Sequence, residues 1–312
     1  MLILTVIFSI DNYKDKKELN KEIDIYSYFY IASTFIFSTI STIFVAMKLN
    51  IEKLIVNADG VEELITFKGV FNNENAFGIS AALSILITLY MISKAKNSKV
   101  KIIFYINLVI QFIALIISGG RSGYLALLSL AFIIAFIYIK NNIVRALLII
   151  LPVLSFVFVF TLDSSTLHYI FTGREYIWIA AIRIIKFAFF SGIGTSNTIP
   201  TLIQNQPADL IGVTKGGIHN IYMEVTTTNG FIATFMLILF IASVIISGIY
   251  IISKMDSNKK ISYTLLLSIL FAIPVINLME SSLVYIISFI SLIYWFYSGH
   301  FIAIINKEKD RY

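Results

Sequence analysis

An all-α, polytopic membrane protein is the fold class this sequence predicts, with about eight complete transmembrane helices following a partial N-terminal one. Three observations carry that expectation. The 312 residues are 58% hydrophobic and only 13% charged, whereas a soluble domain is roughly 45–50% apolar and about 25% charged. The excess is concentrated in runs of bilayer length, which for a spanning helix means about 20 mostly apolar residues. The connections between these runs alternate between basic and mixed charge along the chain. Mean hydropathy is +0.87. There is no cysteine, so a disulfide framework is excluded and compartment cannot be inferred from redox chemistry.

Met1–Ile10 is apolar but too short to span, and no basic segment precedes it, which makes it a poor signal peptide. We expect a half-span, the stump of a helix, with a surface anchor as the plainer alternative. The expected complete spans are Tyr26–Met47, Asn75–Ser93, Ile102–Ile117, Tyr124–Ile139, Ala146–Leu162, Ile221–Ile252, Ile261–Asn277 and Leu283–Ile305. The sixth is long enough to be tilted or to extend past the bilayer. The whole chain, 1–312, is expected to be a single integral membrane domain, with 163–220 as a large loop within it.

Loop charge orients these spans. Most Lys and Arg fall in one alternating set of connections: Lys14, Lys16, Lys17 and Lys21; Lys94, Lys96, Lys99 and Lys101; Lys140 and Arg145; Lys254, Lys259 and Lys260; Lys307, Lys309 and Arg311. By the positive-inside rule this set is cytoplasmic. Both termini are then inside, and 48–74, 118–123, 163–220 and 278–282 face outward. Tyr176–Ile193 resembles a ninth span, but Arg183 and Lys186 would then sit in hydrocarbon, each costing roughly 2.5–3.5 kcal/mol on insertion scales. Glu175, Arg183 and Lys186 cluster on one side of a helix, with Ile177, Trp178, Ala181 and Ile185 largely elsewhere. That pattern predicts a helix lying in the interface, Trp178 included.

Candidate chemistry lies in the outward loops. Ser118-Gly119-Gly120-Arg121-Ser122-Gly123 joins the third and fourth spans. Glycines leave backbone amides open to an anion, and an arginine fork grips phosphate oxygens in pairs. A plain tight turn with one snorkelling arginine gives the same pattern. Thr172-Gly173-Arg174-Glu175 opens the interfacial helix, where an arginine in the first turn opposes the helix dipole. Glu175 beside it offers neutralisation. Gly216-Gly217-Ile218-His219-Asn220 leads into the sixth span. His219 can serve as a general base near neutral pH, and Asn220 can orient it or hold a sugar hydroxyl.

His168 is expected in a polar loop, and His300 to hydrogen-bond within the bundle. Glu280, on the outer turn before the last span, is either a functional carboxylate at membrane depth or simply solvated. Asn72, Asn73, Glu74 and Asn75 form a polar patch that contacts carbohydrate or caps the second span through Asn73 or Asn75. Gln204, Asn205, Gln206 and Asp209 are further polar candidates in the long loop. No His or Cys spacing suggests a metal site, and no GxxxxGK[ST] phosphate loop is present.

Taken in order, Phe71-Asn72-Asn73-Glu74-Asn75-Ala76-Phe77-Gly78, Ser118 to Gly123, Gly173-Arg174 with Trp178, Gly192-Ile193-Gly194, and His219-Asn220 followed by Asn229-Gly230 resemble the O-antigen ligase and Wzy-type polysaccharide polymerase superfamily. The resemblance covers residues 70–235. Asn73-Glu74 stands where the family commonly shows Asn-Pro-Asn, and the chain is short at its N-terminus beside longer members. The resemblance implies a GT-C-like helical glycosyltransferase of the bacterial cytoplasmic membrane, working at the outer face without metal or cofactor. Its donor and acceptor would be undecaprenyl diphosphate-linked glycans, its surroundings membrane lipids and other polysaccharide assembly proteins, and its partners no nucleic acid. It further implies that Arg121 and Arg174 hold the donor diphosphate and that His219 activates the acceptor hydroxyl; Asn220, Glu280 and Asn75 are supporting candidates from their own chemistry rather than from the resemblance. Polymerisation of capsule- or O-antigen-type repeats, ligase-like transfer to another acceptor, glycolipid or solute transport, and a non-catalytic scaffold are the functions to be separated.

Overall fold

The computed structural model describes residues 13–49, 51–57, 60–205 and 217–309. The Met1–Ile10 half-span and the loop residues 206–216, with Gln206 and Asp209, lie outside them. The described chain runs α1 (Lys16–Ala46), β1 (Ile51–Asn57), β2 (Gly60–Phe67), α2 (Glu74–Lys94), α3 (Ser98–Ser118), α4 (Arg121–Tyr138), α5 (Asn142–Val159), α6 (Ser164–Phe171), α7 (Arg174–Phe187), α8 (Thr195–Asn205), α9 (Ile221–Asn229), α10 (Phe231–Lys254), α11 (Ser257–Ile276) and α12 (Phe289–Lys309). Eight of these helices, α1 to α5 and α10 to α12, are long and apolar enough to cross a membrane. The protein is a multi-pass helical membrane protein, as hydropathy predicts. The connection between α1 and α2 adds an antiparallel ribbon, with Ile51 opposite Phe67 and Asn57 opposite Gly60.

The chain divides into two compact units. The first comprises Met1–Ile134, Ser247–Ile276 and Ile293–Tyr312. Asp15 starts α1 with a capping box: its carboxylate accepts from Glu18 N at 2.7 Å while Glu18 reaches back to Asp15 N at 3.0 Å. Helix α2 is central, buried along most of its length and packed by α1, α3 and α11. The contacts among α1, α2 and α3 follow a polar seam, which makes chemical sense between helices in lipid, where apolar contact has no water to escape from. Thr34 meets Ser84 at 2.8 Å, Ser38 donates to Gln111 at 2.9 Å, and Asn107 donates to Thr88 at 2.8 Å. At one end of this unit, Lys94 pairs with Asp24, Lys16 with Glu308, and His300 bridges Phe296 O and Glu22, both at 2.9 Å. The last contact is the intra-bundle role expected of His300.

The second unit comprises Ala135–Ile246 and Asn277–Leu292. None of the residues of α5 is buried, so this helix, apolar all round, presents a lipid-facing surface. Helices α6, α7, α8 and α9 pack together around Phe171, Ile177, Trp178, Ala180, Ala181, Ile184, Leu202 and Ile218. At 14 residues, α7 is about 21 Å long, too short for the ~30 Å hydrocarbon layer. Trp178, expected at the interface, is instead a core residue, 5% exposed, with its indole Nε1 donating to Ile218 O at 3.0 Å.

Three expected spans depart most from their expected bounds, and the first of them begins at Lys16 rather than Tyr26. The sixth, predicted as Ile221–Ile252, divides at Gly230 into α9 and α10. Gly230 has φ +85 and ψ 172, outside helical space, and Phe231 N donates to Phe189 O at 2.8 Å instead of continuing the helix. The eighth begins at Phe289 rather than Leu283, because residues 277–288 are used as an irregular segment held by the site below.

Candidate functional site

In the first unit, two of the sequence motifs dock on each other. Asn73, not Asn75, caps α2, its side chain accepting from Ala76 N at 2.7 Å. The loop before α4 lies directly on the first turns of α2. A β-carbon on Gly120 would stand 2.6 Å from Glu74 O and 3.2 Å from Asn75 Cα, and one on Gly123 would stand 2.7 Å from Gly78 O. Only glycine permits this backbone-on-backbone contact. Arg121, exposed, is the first residue of α4, next in the chain to Gly120, and Asn75 is half-buried.

In the second unit, Arg174, His219, Asn220 and Glu280 come together. Thr172 (φ +56) closes α6 and Gly173 (φ +85) opens α7, so two left-handed residues in succession turn the chain sharply. The arginine that opposes the helix dipole has a specific purpose: its Nη1 donates to Met279 O at 2.5 Å and its Nη2 to Glu280 Oε1 at 3.3 Å. Glu175 does not neutralise it. That carboxylate pairs with His168 Nδ1 at 2.8 Å, and His168 lies on α6, not in the loop expected.

The 277–282 segment is gripped carbonyl by carbonyl. Asn220 Nδ2 donates to Leu278 O at 3.1 Å, Arg174 holds Met279 O, and Ile221 N donates to both Asn277 O and Glu280 O at 3.0 and 3.1 Å. Asn220 N also donates to Ser281 Oγ at 3.1 Å, while Asn220 Oδ1 caps α9 by accepting from Tyr222 N and Met223 N. The side chain expected to orient His219 or hold a sugar thus serves as a helix cap and a backbone tie.

This clamp aims Glu280 between two partners. One oxygen faces Arg174, and the other, Oε2, lies 3.9 Å from His219 Nδ1, beyond hydrogen-bond range. His219 has φ +53, a conformation that costs a non-glycine residue free energy and marks functional positions. Its Nδ1 is buried without a hydrogen-bond partner, although the side chain as a whole is 21% exposed. The exposed part of the side chain therefore excludes Nδ1.

Sequence reasoning missed Glu224. It lies in the first turn of α9, and its Oε2 is buried with no hydrogen-bond partner. Burial pushes its carboxyl above the ordinary carboxylate value, while Ser281, the Ile218 backbone and His219 act in the opposite direction. The available signal was a lone acid in an apolar run, which is a functional candidate by default.

Gly192-Ile193-Gly194 and Asn229-Gly230 also meet. Ile193 N and Gly194 N donate to Thr227 O and Thr228 O, both at 2.9 Å, satisfying carbonyls at the end of α9. Of the long-loop candidates, Asn205 donates to Thr201 O at 2.8 Å and accepts from Arg183 through its backbone at 3.3 Å. Among the described residues, no group of three or more His, Cys, Asp or Glu side chains is arranged to hold a metal ion.

No curated protein and no solved structure matches the chain. Residues 106–238, which run from α3 into α10 and take in Arg121, Arg174, His219 and Glu224 but not Glu280, match the family model described as O-antigen ligase, the superfamily that the sequence motifs resemble.

Proposed function

We propose that the protein is a glycosyltransferase that joins undecaprenyl diphosphate-linked oligosaccharide repeats into a surface polysaccharide at the outer face of the bacterial cytoplasmic membrane. The observation that carries this reading is the sequence Arg174, Glu280, His219 in space, within 3.3 and 3.9 Å of one another through the two oxygens of one carboxylate. A guanidinium suits a diphosphate, and a partly exposed imidazole suits a hydroxyl. The match to the O-antigen ligase family model supports transfer of a lipid-linked glycan.

In the reaction so read, the acceptor hydroxyl attacks the anomeric carbon of the donor sugar. Its proton passes to His219 Nε2 as the new C–O bond forms. The bond to the diphosphate breaks with its electron pair, and the charge that accumulates there is met by Arg174. Fixed positive charge of this kind favours the transition state over the bound substrate. Arg121, on its own unit, is a second candidate for donor phosphate. A single displacement inverts the anomeric configuration. Read by the positive-inside rule, the basic connections support a topology with both termini in the cytoplasm and the 163–220 loop outside, the side on which lipid-linked repeats would be joined.

Ligase-like transfer to another acceptor is the second reading, favoured by the family's description. The test is glycan laddering in a deletion strain complemented with wild type, His219→Ala, Arg174→Ala or Arg121→Ala, with each variant's membrane abundance measured. A ladder restored by wild type and lost with His219→Ala and Arg174→Ala supports polymerisation. Ladders already present in the deletion strain, but unattached to their final acceptor, would favour ligation. Full restoration by the His219 and Arg174 variants would overturn the site.

A further inference from the structure

The buried acid Glu224 is an ionisable group of the cluster to which the reaction above gives no task, whereas Glu280 is already engaged by Arg174. It lies five residues beyond His219, in the first turn of α9, and three features fix its carboxyl there. Gly217 leaves the space it occupies, since a β-carbon at that position would stand 3.2 and 3.4 Å from the two carboxyl oxygens. Ser281, on the clamped segment, and the Ile218 backbone border the same carboxyl. Its Oε2 nonetheless has no hydrogen-bond partner, and neither has His219 Nδ1, so a buried acceptor and a buried ring nitrogen of one local cluster are both unfilled. Two buried polar atoms left unmatched are costly, and native proteins tolerate them mainly where function requires it.

Charge balance says what the vacancies are for. Arg174 and Glu280 offset each other. Glu224 is then the surplus negative group, and it is balanced when one proton resides on either itself or His219. Before reaction the burial of Glu224 favours its keeping a proton. When His219 takes the acceptor's proton at Nε2, the Nδ1–H of the imidazolium needs an accepting neighbour, and an oxygen of the Glu224 carboxyl can accept it; the positive charge beside it favours the ionised carboxyl, whose proton passes to water at the partly exposed His219. Such a group orients the ring and stabilises the imidazolium, as a carboxylate does behind other catalytic histidines.

We infer that Glu224 is a positioning residue that acts through His219, holding its ring and balancing the charge it acquires as it takes the acceptor's proton. This rests on the glycosyltransferase reading above and goes beyond it in assigning the second carboxylate. The groups facing Glu224 are His219, Ser281, Tyr285 and the Gly217–Ile218 backbone, with Arg174 and Glu280 beyond His219.

The experiment measures glycan elongation between about pH 5.5 and 9, a range spanning histidine titration. It uses membrane vesicles of the complemented strains supplied with the lipid-linked glycan that accumulates in the deletion strain. Glu224→Gln should lower the maximal rate on the order of 10- to 100-fold and move the acid limb of the pH–rate profile to lower pH. Glu224→Asp should recover part of the rate and of the profile. In a His219→Ala background, Glu224→Gln should cost nothing further, because a residue acting through His219 has nothing left to act on. An unchanged rate and profile for Glu224→Gln would overturn the inference. So would an equal fractional loss in both backgrounds, which is the mark of a structural role. Should the Gln variant be absent from the membrane, the Asp variant decides by its pH profile, and an unmoved profile overturns the inference. If His219→Ala itself elongates normally, the glycosyltransferase site has failed. If His219→Ala is inactive and Glu224→Gln behaves as wild type, only the assignment of Glu224 has failed.

Discussion

Glu280 serves two neighbours with its two oxygens, Arg174 at 3.3 Å and His219 at 3.9 Å, so its neutralisation has two separable effects. Glu280→Gln leaves a guanidinium that is only 15% exposed without its carboxylate, and we expect a loss of roughly 1–3 kcal/mol in thermal unfolding of the detergent-purified protein. Arg174→Lys should lose a similar amount, because an ammonium cannot reproduce a fork that reaches Met279 O and Glu280 together. A Lys variant as stable as wild type would show that the fork is not what holds the segment. Glu224 has the opposite relation to stability. Its carboxyl is raised above its unfolded value of 4.5, so its contribution is fully present below that pH and is lost as pH rises through the folded value. Glu224→Gln removes this loss, and its melting temperature should fall less than that of wild type between pH 5 and pH 8. Equal falls would mean that the group ionises at no cost in the fold. Arg174 and His219 were legible in the sequence because they stand in polar punctuation, where a charge or an imidazole needs a reason. Glu224 was not, because Ile221, Tyr222, Met223 and Val225 surround it and the run reads as membrane. The pairing of Arg174 with Glu280, more than 100 residues away, leaves no local trace at all.

At the scale of elements, the site depends on helix ends rather than on helix faces. Helix α9 is only nine residues long, too short to be stable by propensity alone. Both of its ends are tied by other parts of the chain. Asn220 caps the start, and the amides of Ile193 and Gly194 take up the carbonyls at the finish. Gly230 makes the second tie feasible: a β-carbon there would stand 2.0 Å from Phe190 O, at a φ of +85. Gly230→Ala combines a backbone clash with a left-handed strain of about 1–2 kcal/mol. We expect it to lower the melting temperature more than Ala substitution at Gly119, where φ is also positive but nothing lies within 4 Å of the added carbon. If both variants lose the same amount, strain alone explains the loss and the docking of Phe190 on Gly230 contributes nothing. Hydropathy could not reveal the break between α9 and α10, since the run from Ile221 to Ile252 contains no proline and one charged residue. The helix is interrupted by a tertiary contact, Phe231 N to Phe189 O, and a single sequence does not carry that information. Trp178 misled for a related reason: the amphipathic pattern of α7 was correctly seen, but its apolar face meets α9 and Ile218 instead of lipid headgroups.

For the whole molecule, the complete spanning helices were legible because bilayer thickness imposes a length on each of them, and the described residues include eight such helices. Orientation is a separate matter, carried only by loop charge, and α7 is the element on which it turns. If α7 lies outside, every loop obeys the positive-inside rule. If it crosses, all later loops invert and the Lys254–Lys260 connection moves outward. Its 14 residues reach about 21 Å against a ~30 Å core, so crossing would bring polar ends into hydrocarbon along with Arg183 and Lys186. The absence of native cysteine allows a direct test with single-cysteine variants and a membrane-impermeant maleimide. Tyr169, 73% exposed, precedes α7, while the exposed Lys99 and Ser257 lie in two of the basic connections, one before and one after it. We expect Tyr169→Cys to be labelled on intact cells, after removal of any outer membrane, and Lys99→Cys and Ser257→Cys only after permeabilisation. Labelling of Ser257→Cys on intact cells, with Lys99→Cys still protected, would mean that α7 crosses. Arg174, at the start of α7, and His219, beyond its end, would then lie on opposite sides of the bilayer. Arg174 opens α7 and holds Met279 and Glu280 at 2.5 and 3.3 Å, and Glu280 lies 3.9 Å from His219, so Arg174 and His219 sit at one surface, which is the physical reason to expect the first result.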